Sequence, residues 1–263
     1  MKKITLYIFL FSTFLASSQS SHGLVHYGEI QSMGMGAPVG PDYNAILVFN
    51  NDQSLYITRM DSLEGGKLRE QRSYETASGF NSITVVTNEI GFRYFNDKKN
   101  KTFYSRDLGF NLVKEPTPKI KWDITEENKK VGRYTVYKAT GDFRGRIYTA
   151  WFTTEIPVPY GPWKLQGLPG LILEAYDTHK EIYWYFKALE YPTEHTDLLR
   201  PIKNEQKWLS FNDYRKKQVE AYKNSLISGR MGAESAEIPM VQNAKKNMLN
   251  TYIEGFDEEA VTE

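Results

Sequence analysis

The 263-residue chain contains no cysteine. That excludes a disulfide framework, a thiolate metal site and lipid attachment at a lipobox cysteine, so stability must come from the core. Histidine is scarce, with four residues. His22 and His26, four apart, would sit on one face of a strand about 13 Å from each other, too far to share a metal ion. His179 falls in a turn and His195 in a polar linker, so neither a metal nor another cofactor is expected. There is no G-x-S-x-G elbow, no H-E-x-x-H helix and no P-loop. The nearest lookalike, Met33-Gly34-Met35-Gly36, lacks the lysine and the following helix of a phosphate cradle. Charge of one sign is not in excess, with 33 Lys and Arg against 32 Asp and Glu. A nucleic-acid partner, which needs a concentrated basic face, is therefore not expected. Beyond the first fifteen residues no apolar run approaches the ~20 residues of a bilayer span.

What is present begins with an export pattern. Lys2 and Lys3 precede the apolar run Ile4 to Leu15, and Ala16-Ser17-Ser18 supplies small residues for cleavage before Gln19. The expected organisation is a signal peptide at 1–18, an antiparallel β domain at 19–197, and a helical C-terminal segment at 198–263 packing on the sheet. The expected location is periplasmic or secreted, with no transmembrane segment once the signal is removed. Aromatic residues make up 14% of the chain, including 18 Tyr, which favours pleated, half-buried surfaces.

Period-2 alternation dominates. Strands are expected at Tyr43 to Val48 and Ser54 to Met60 around Asn50-Asn51-Asp52, then at Ser82 to Thr87 and Phe92 to Asn96, joined through Asn88 to Gly91. Lys101 to Arg106 and Phe110 to Lys114 follow. Arg133 to Thr140 pairs with Arg146 to Thr154, and Gly170 to Asp177 with Ile182 to Glu190. Turns this short make successive strands antiparallel neighbours. A meander of roughly ten strands accumulates twist and curls. The fold class is thus mainly β, a curved antiparallel sheet shaped as a bowl or half-barrel, with C-terminal helices. Ser210 and Asp213 cap the first helix, with Phe211, Tyr214, Val219, Tyr222 and Leu226 inward and Gly229 as its stop. A loop at Arg230 to Glu237 and a second helix at Met240 to Ile253 complete the tail.

The stretch Trp151 to Ile172, WFTTEIPVPYGPWKLQGLPGLI, specifies backbone geometry more than bond-breaking chemistry. Pro157 and Pro159 lack amide donors, so the chain after Thr154 must leave the ladder or follow an edge. Gly161-Pro162 and Pro169-Gly170 are turn dipeptides, and Gly161, Gly167 and Gly170 are free to take positive φ. Trp163 and Leu165 alternate onto an apolar surface, so the segment plugs one end of a sheet before Leu171-Ile172-Leu173 returns as a strand. The binding residues expected from this loop and its flanks are Trp151, Pro157, Gly161, Pro162, Trp163, Gly167, Leu168, Pro169, Gly170 and Leu171. No catalytic residue is assigned. Glu155, Glu174 and Asp177 are the carboxylates near the motif, and a glycosidase would need two of them at a defined separation.

The run Tyr134 to Glu174 resembles the signature of the GLPGLI family, exported proteins of Bacteroidetes named for the hexapeptide Gly167-Leu168-Pro169-Gly170-Leu171-Ile172. Lys138-Ala139-Thr140, Gly145-Arg146, Ala150-Trp151, Ile156-Pro157 and Gly161-Pro162 fit the family pattern too. Val25-His26-Tyr27 and Ser54-Leu55-Tyr56 fit more loosely. The tail departs: many members end near Asn-Pro-Ile-Glu, where this chain has Asn250-Thr251-Tyr252-Ile253-Glu254. The resemblance implies no activity, because the family has no established biochemical function. The chain is also similar to the bowl-like N-terminal module of a flavobacterial peptide N-glycosidase whose catalytic domain lies elsewhere, which implies a curved β bowl and an accessory role. Two readings follow. One is a non-catalytic binding or accessory module of the cell envelope, taking a peptide, glycan or lipid ligand or another envelope protein. The other is a hydrolase using carboxylates near the motif.

Overall fold

The computed structural model describes residues 22–76, 79–106, 111–203, 207–235 and 248–256. The expected signal peptide at 1–18, residues 107–110 between the expected strands Lys101 to Arg106 and Phe110 to Lys114, and most of the expected second helix lie outside them. Fourteen strands form: β1 (Gly23–Gln31), β2 (Asp42–Phe49), β3 (Gln53–Thr58), β4 (Arg69–Thr76), β5 (Gly79–Val86), β6 (Phe92–Asp97) and β7 (Thr102–Arg106), then β8 (Leu112–Pro116), β9 (Asp123–Val131), β10 (Tyr134–Phe143), β11 (Arg146–Thr153), β12 (Leu171–Asp177), β13 (Ile182–Glu190) and β14 (Leu209–Ser210). Helix α1 spans Phe211–Ser235.

Twelve strands make one sheet in the order β14-β8-β7-β6-β3-β2-β1-β13-β12-β11-β10-β9. Its paired neighbours are antiparallel except β14, which runs parallel to β8. The sheet stays open, and both ends are protected against pairing with another chain. β14 is two residues long, and β9 reads Asp-Ile-Thr-Glu-Glu-Asn-Lys-Lys-Val with mostly exposed side chains. That composition hides β9 from a search for alternating apolar residues.

The sheet is strongly curved, as an ion pair demonstrates. Glu115 on β8 and Arg144 in the β10–β11 turn are eight strand spacings apart in the order, about 38 Å in a flat sheet. Arg144 Nη2 nevertheless donates to Glu115 Oε2 at 2.6 Å. The two flanks therefore face each other across the concave side. That side holds the main core, which includes Tyr27, Leu47, Phe49, Tyr56, Tyr148, Trp163, Leu171 and Trp184. A second core lies on the opposite face of β1, β2, β3 and β6, where Leu24, Ile46, Val48, Leu55, Ile57 and Phe95 are covered by Leu198, Leu199 and Ile202. Burial on both faces explains the continuous Ala45-Ile46-Leu47-Val48-Phe49 run.

The hairpins β2–β3, β10–β11 and β12–β13 form as the alternation predicts. Three expectations are corrected. First, β5 does not pair with β6. It pairs with β4 in a separate two-stranded ribbon, while β6 joins β3. Asn88 spends its side chain capping the Ile90 and Gly91 amides, so residues 88–91 end one element rather than join two. Second, α1 is capped at Ser210, whose Oγ accepts from the Asp213 amide at 3.1 Å, but it does not stop at Gly229. A glycine inside a helix weakens it by about 1 kcal/mol and does not end it without a compatible C-terminal motif. Third, the described part of the expected second helix is a single 3-10 turn, Met248–Asn250, followed by irregular chain to Phe256.

Candidate functional site

The site grows from the loop between β11 and β12. Its backbone is tied to itself: Gly167 N donates to Pro159 O at 2.9 Å, Leu171 N to Ile156 O at 3.0 Å and Ile172 N to Tyr160 O at 3.0 Å. The expected departure from the ladder after Thr154 is observed, and Pro157 and Pro159 lie in the segment that leaves. Gly167 takes positive φ, 94°, whereas Gly161 and Gly170 do not. Gly170 is required for a different reason: a Cβ there would sit 2.1 Å from Thr153 O. The left-handed residue of the turn is Trp163, at φ 54°, a conformation costing a non-glycine residue roughly 1–2 kcal/mol. Its packing compensates. The Trp163 ring stacks on Trp184 with centroids 5.9 Å apart and planes 13° apart, and meets Phe143 and Tyr148.

Gln166 pins the loop across the bowl. It accepts from Asn96 Nδ2 on β6 at 2.5 Å, donates to Pro118 O at 3.1 Å, and its carbonyl accepts from Trp122 Nε1 at 2.8 Å. A void of about 10 Å³ between Asn96, Tyr160, Trp163 and Gln166 is of the size of one water.

Beside this apolar plug lies a layer of buried charge. Lys164, 1% exposed, places Nζ 2.7 Å from Glu115 Oε1 and 2.6 Å from Glu254 Oε1. Burial opposes its charge, but the carboxylates of Glu254 and Glu115 outweigh that effect and hold its pKa above the ordinary lysine value. Arg144 lies over the Phe211 ring at 3.8 Å while pairing with Glu115. Arg146 donates from Nη1 to Asp177 Oδ2 at 2.6 Å, with Glu181 Oε2 3.4 Å away. Its remaining donors go to the carbonyls of Leu249, Tyr252 and Ile253.

A cavity of about 540 Å³ opens next to Arg146, lined by Gly34, Gly36, Gly145, Arg146, Ile147, Asp177, Thr178, His179, Glu181 and Leu249. Its volume suits a small ligand. The carboxylates in its wall are already engaged: Glu181 Oε1 accepts from the Gly36 amide at 2.7 Å and Asp177 Oδ1 from the Ile182 amide at 3.3 Å. Deeper in the bowl, Glu29 is enclosed by Tyr56 Oη at 2.5 Å, Trp184 Nε1 at 3.0 Å and Gln31 Nε2 at 2.8 Å. Tyr56 is held neutral by burial and by the adjacent Glu29 charge.

Of the ten residues expected to bind, Trp151, Gly161, Pro162, Trp163, Leu168, Gly170 and Leu171 are buried, and Pro157, Gly167 and Pro169 are exposed. None of them lines the cavity, and Gly161 and Trp163 line the small void instead. The three motif carboxylates are not brought together. Glu155 is exposed and accepts from the Thr135 amide, Glu174 pairs with Lys129 at 2.6 Å, and Asp177 faces the cavity. An odd spacing of three along β12 puts Glu174 and Asp177 on opposite faces. His179 lines the cavity, and His195 is exposed near Glu190. Among the described residues, no group of three or more His, Asp or Glu could hold a metal, and no helix is long and apolar enough to cross a membrane.

The ion-pair layer escaped the sequence reading, although Lys164 offered a signal. It stands between Trp163 and Leu165 in an apolar run, where only a paired charge is tolerated.

Comparison with curated proteins finds no match. Among solved structures the chain is similar to PNGF-II in two crystal forms, at 14% and 15% identity and TM-scores of 0.46 and 0.47. The alignments cover 73% and 75% of this chain but 31% and 33% of those, so the chain spans about a third of their length. Residues 142–174 match the model of a family described as "Protein of unknown function (Porph_ging)". The stretch that this chain shares with that family therefore carries Arg146, the Trp163-Lys164 turn and the hexapeptide together.

Proposed function

We propose that this chain is an exported, non-catalytic binding module of the GLPGLI type, working in the cell envelope and holding a polar ligand in the cavity beside Arg146. The observation that carries the reading is the state of the cavity wall. Asp177 and Glu181 share one guanidinium and each accept a backbone amide, so both oxygens of each carboxylate are engaged in structure. A general acid or base needs a proton-transfer position in reach of the substrate, and the engagement of both oxygens of each carboxylate speaks against the Asp177 and Glu181 pair in that role. A binding site needs a concave space with a few fixed polar groups, which the cavity does offer. With the Arg146 donors taken by protein partners, the mixture of Thr178, His179 and glycine backbone with Ile147 and Leu249 favours a hydrogen-bonding peptide or glycan segment over a lipid tail. Periplasmic or secreted location rests on the Lys2 to Ser18 pattern.

Ligand-observed NMR with panels of oligosaccharides, peptides and lipids tests the reading on the parent and on Thr178→Trp, which narrows the cavity from its exposed turn. Binding by the parent that the variant loses supports it. Turnover of any panel member that Asp177→Asn abolishes without lowering the melting temperature replaces it with the hydrolase reading.

A further inference from the structure

The last described segment, Met248–Phe256, belongs to no strand of the sheet, yet it is held more densely than an ordinary tail. Arg146 takes three of its carbonyls, those of Leu249, Tyr252 and Ile253. The Gly255 amide donates to Arg144 O at 2.9 Å. Glu254, 1% exposed, places its carboxylate 2.6 Å from Lys164 Nζ and 3.9 Å from Arg144 Nε. Phe256 meets the rings of Phe211 and Tyr214 at 5.8 and 6.5 Å, and Ile253 packs on the main core.

This set of contacts divides as peptide recognition does. Carbonyls read by one guanidinium, and an amide read by a carbonyl, position a backbone regardless of sequence. A buried cation facing one carboxylate selects an acidic residue, and an aromatic slot selects the residue two positions on. Gly255 lets the segment fold on itself, since a Cβ there would meet the segment's own Leu249 side chain at 2.6 Å. Removing the segment would leave Lys164 facing Glu115 alone, with the Arg146 donors opened to solvent. The surface is built from β11, the motif loop and α1; its cations Lys164, Arg144 and Arg146 are each also paired with a carboxylate of the body, and Lys164 and Arg144 face the Glu254 carboxylate of the segment lying on them.

We propose that this end of the molecule is a peptide-binding site selective for a Glu-Gly-aromatic sequence, that residues 248–256 are its ligand in cis, and that an acidic peptide of the same chemistry supplied in trans exchanges with them. The site adjoins the cavity of the reading above, whose wall includes Arg146 and Gly145 of the body and Leu249 of the segment, and its test uses no cavity ligand.

The probe is a fluorescein-labelled peptide with the sequence of residues 246–257, and its Glu254→Gln counterpart. In one arm, a protease sequence is placed within 236–247 of the full chain and cleaved. The C-terminal fragment is expected to stay bound in native mass spectrometry and to exchange with the labelled peptide, the Gln peptide binding at least about tenfold more weakly. In the second arm the uncleaved chain is used, so a body that depends on its fragment for folding does not confuse the result. The parent chain, occupied in cis, is expected to bind the peptide poorly, and the full-length Glu254→Gln chain at least about tenfold better. Release of the fragment on cleavage with unchanged circular dichroism overturns the proposal. So does equal affinity for the Glu and Gln peptides, or equal peptide binding by the two uncleaved chains.

Discussion

Two pieces of chain close the same end of the bowl by different physics. The loop between β11 and β12 is held by apolar burial and its own backbone hydrogen bonds, with Trp163 4% exposed and Leu165 and Leu168 at 1%. The Met248–Phe256 segment has apolar anchors in Met248, Ile253 and Phe256 and adds to them ion pairs and side chains reaching its carbonyls. Burial of apolar area is non-directional and indifferent to protonation, whereas a buried ion pair depends on both partners staying charged. The loop should therefore behave as core, and the C-terminal segment as a docked ligand.

The largest expected effect tests the first half. Trp163→Ala should cost roughly 3–5 kcal/mol, because it empties a stack shared with Trp184, Tyr148 and Phe143. Denaturant melts check this. A loss under 1 kcal/mol would mean that the plug is not part of the core.

Next, Gly170→Ala should cost about 1–3 kcal/mol through the clash with Thr153 O, not through backbone handedness. Gly167→Ala, at φ 94° with its Cβ position in no more than ordinary contact with Trp122 Nε1 at 4.0 Å, should cost about 1 kcal/mol. Equal losses would remove the distinction between close approach and left-handed geometry.

Glu254→Gln should cost a similar or smaller amount, roughly 1–3 kcal/mol, because Lys164 keeps Glu115. Its signature is the pH profile. The folded pKa of Lys164 is raised, so its contribution is fully present below the ordinary lysine value of about 10.4 and is lost as pH rises through the higher folded value. The parent should therefore lose more stability than Glu254→Gln on crossing that range. Parallel profiles would show that the pair does not hold the segment.

The smallest effect uses the opposite face of the sheet as a control. Burial first, and the Asp42 carboxylate accepting its hydroxyl second, push Tyr185 up to about 12. Asp42→Asn should move that ionisation part of the way back towards 10 in an absorbance titration, with little change in the melt. An unmoved titration would leave burial as the whole cause.

Legibility followed the same division. The hairpins β2–β3, β10–β11 and β12–β13 could be read because strand-forming apolar residues, alternating in β10 and nearly continuous in β2 and β12, run between short polar turns, and Pro157 with Pro159 announced the exit from the ladder. Gly170 was singled out correctly but for the wrong property, since the closeness of Thr153 O is set by strands meeting in space. The partner of β5 was misassigned because a short connection predicts pairing only when its polar residues do not cap the elements they separate.

The candidate site divides likewise. The motif loop, from Trp151 to Leu171, stood out as shaped backbone because glycine and proline act within a few residues of themselves. Nothing local joins Glu115, Arg144, Lys164 and Glu254, which lie up to 139 positions apart and meet only because the sheet curls. Periodicity, turn chemistry and export pattern are properties of neighbouring residues, so the sequence alone determined a curved antiparallel β fold with a structured central loop. Which charges face each other, which end of the bowl is closed and what lies in it depend on distances across the sheet, and only the tertiary structure decided them.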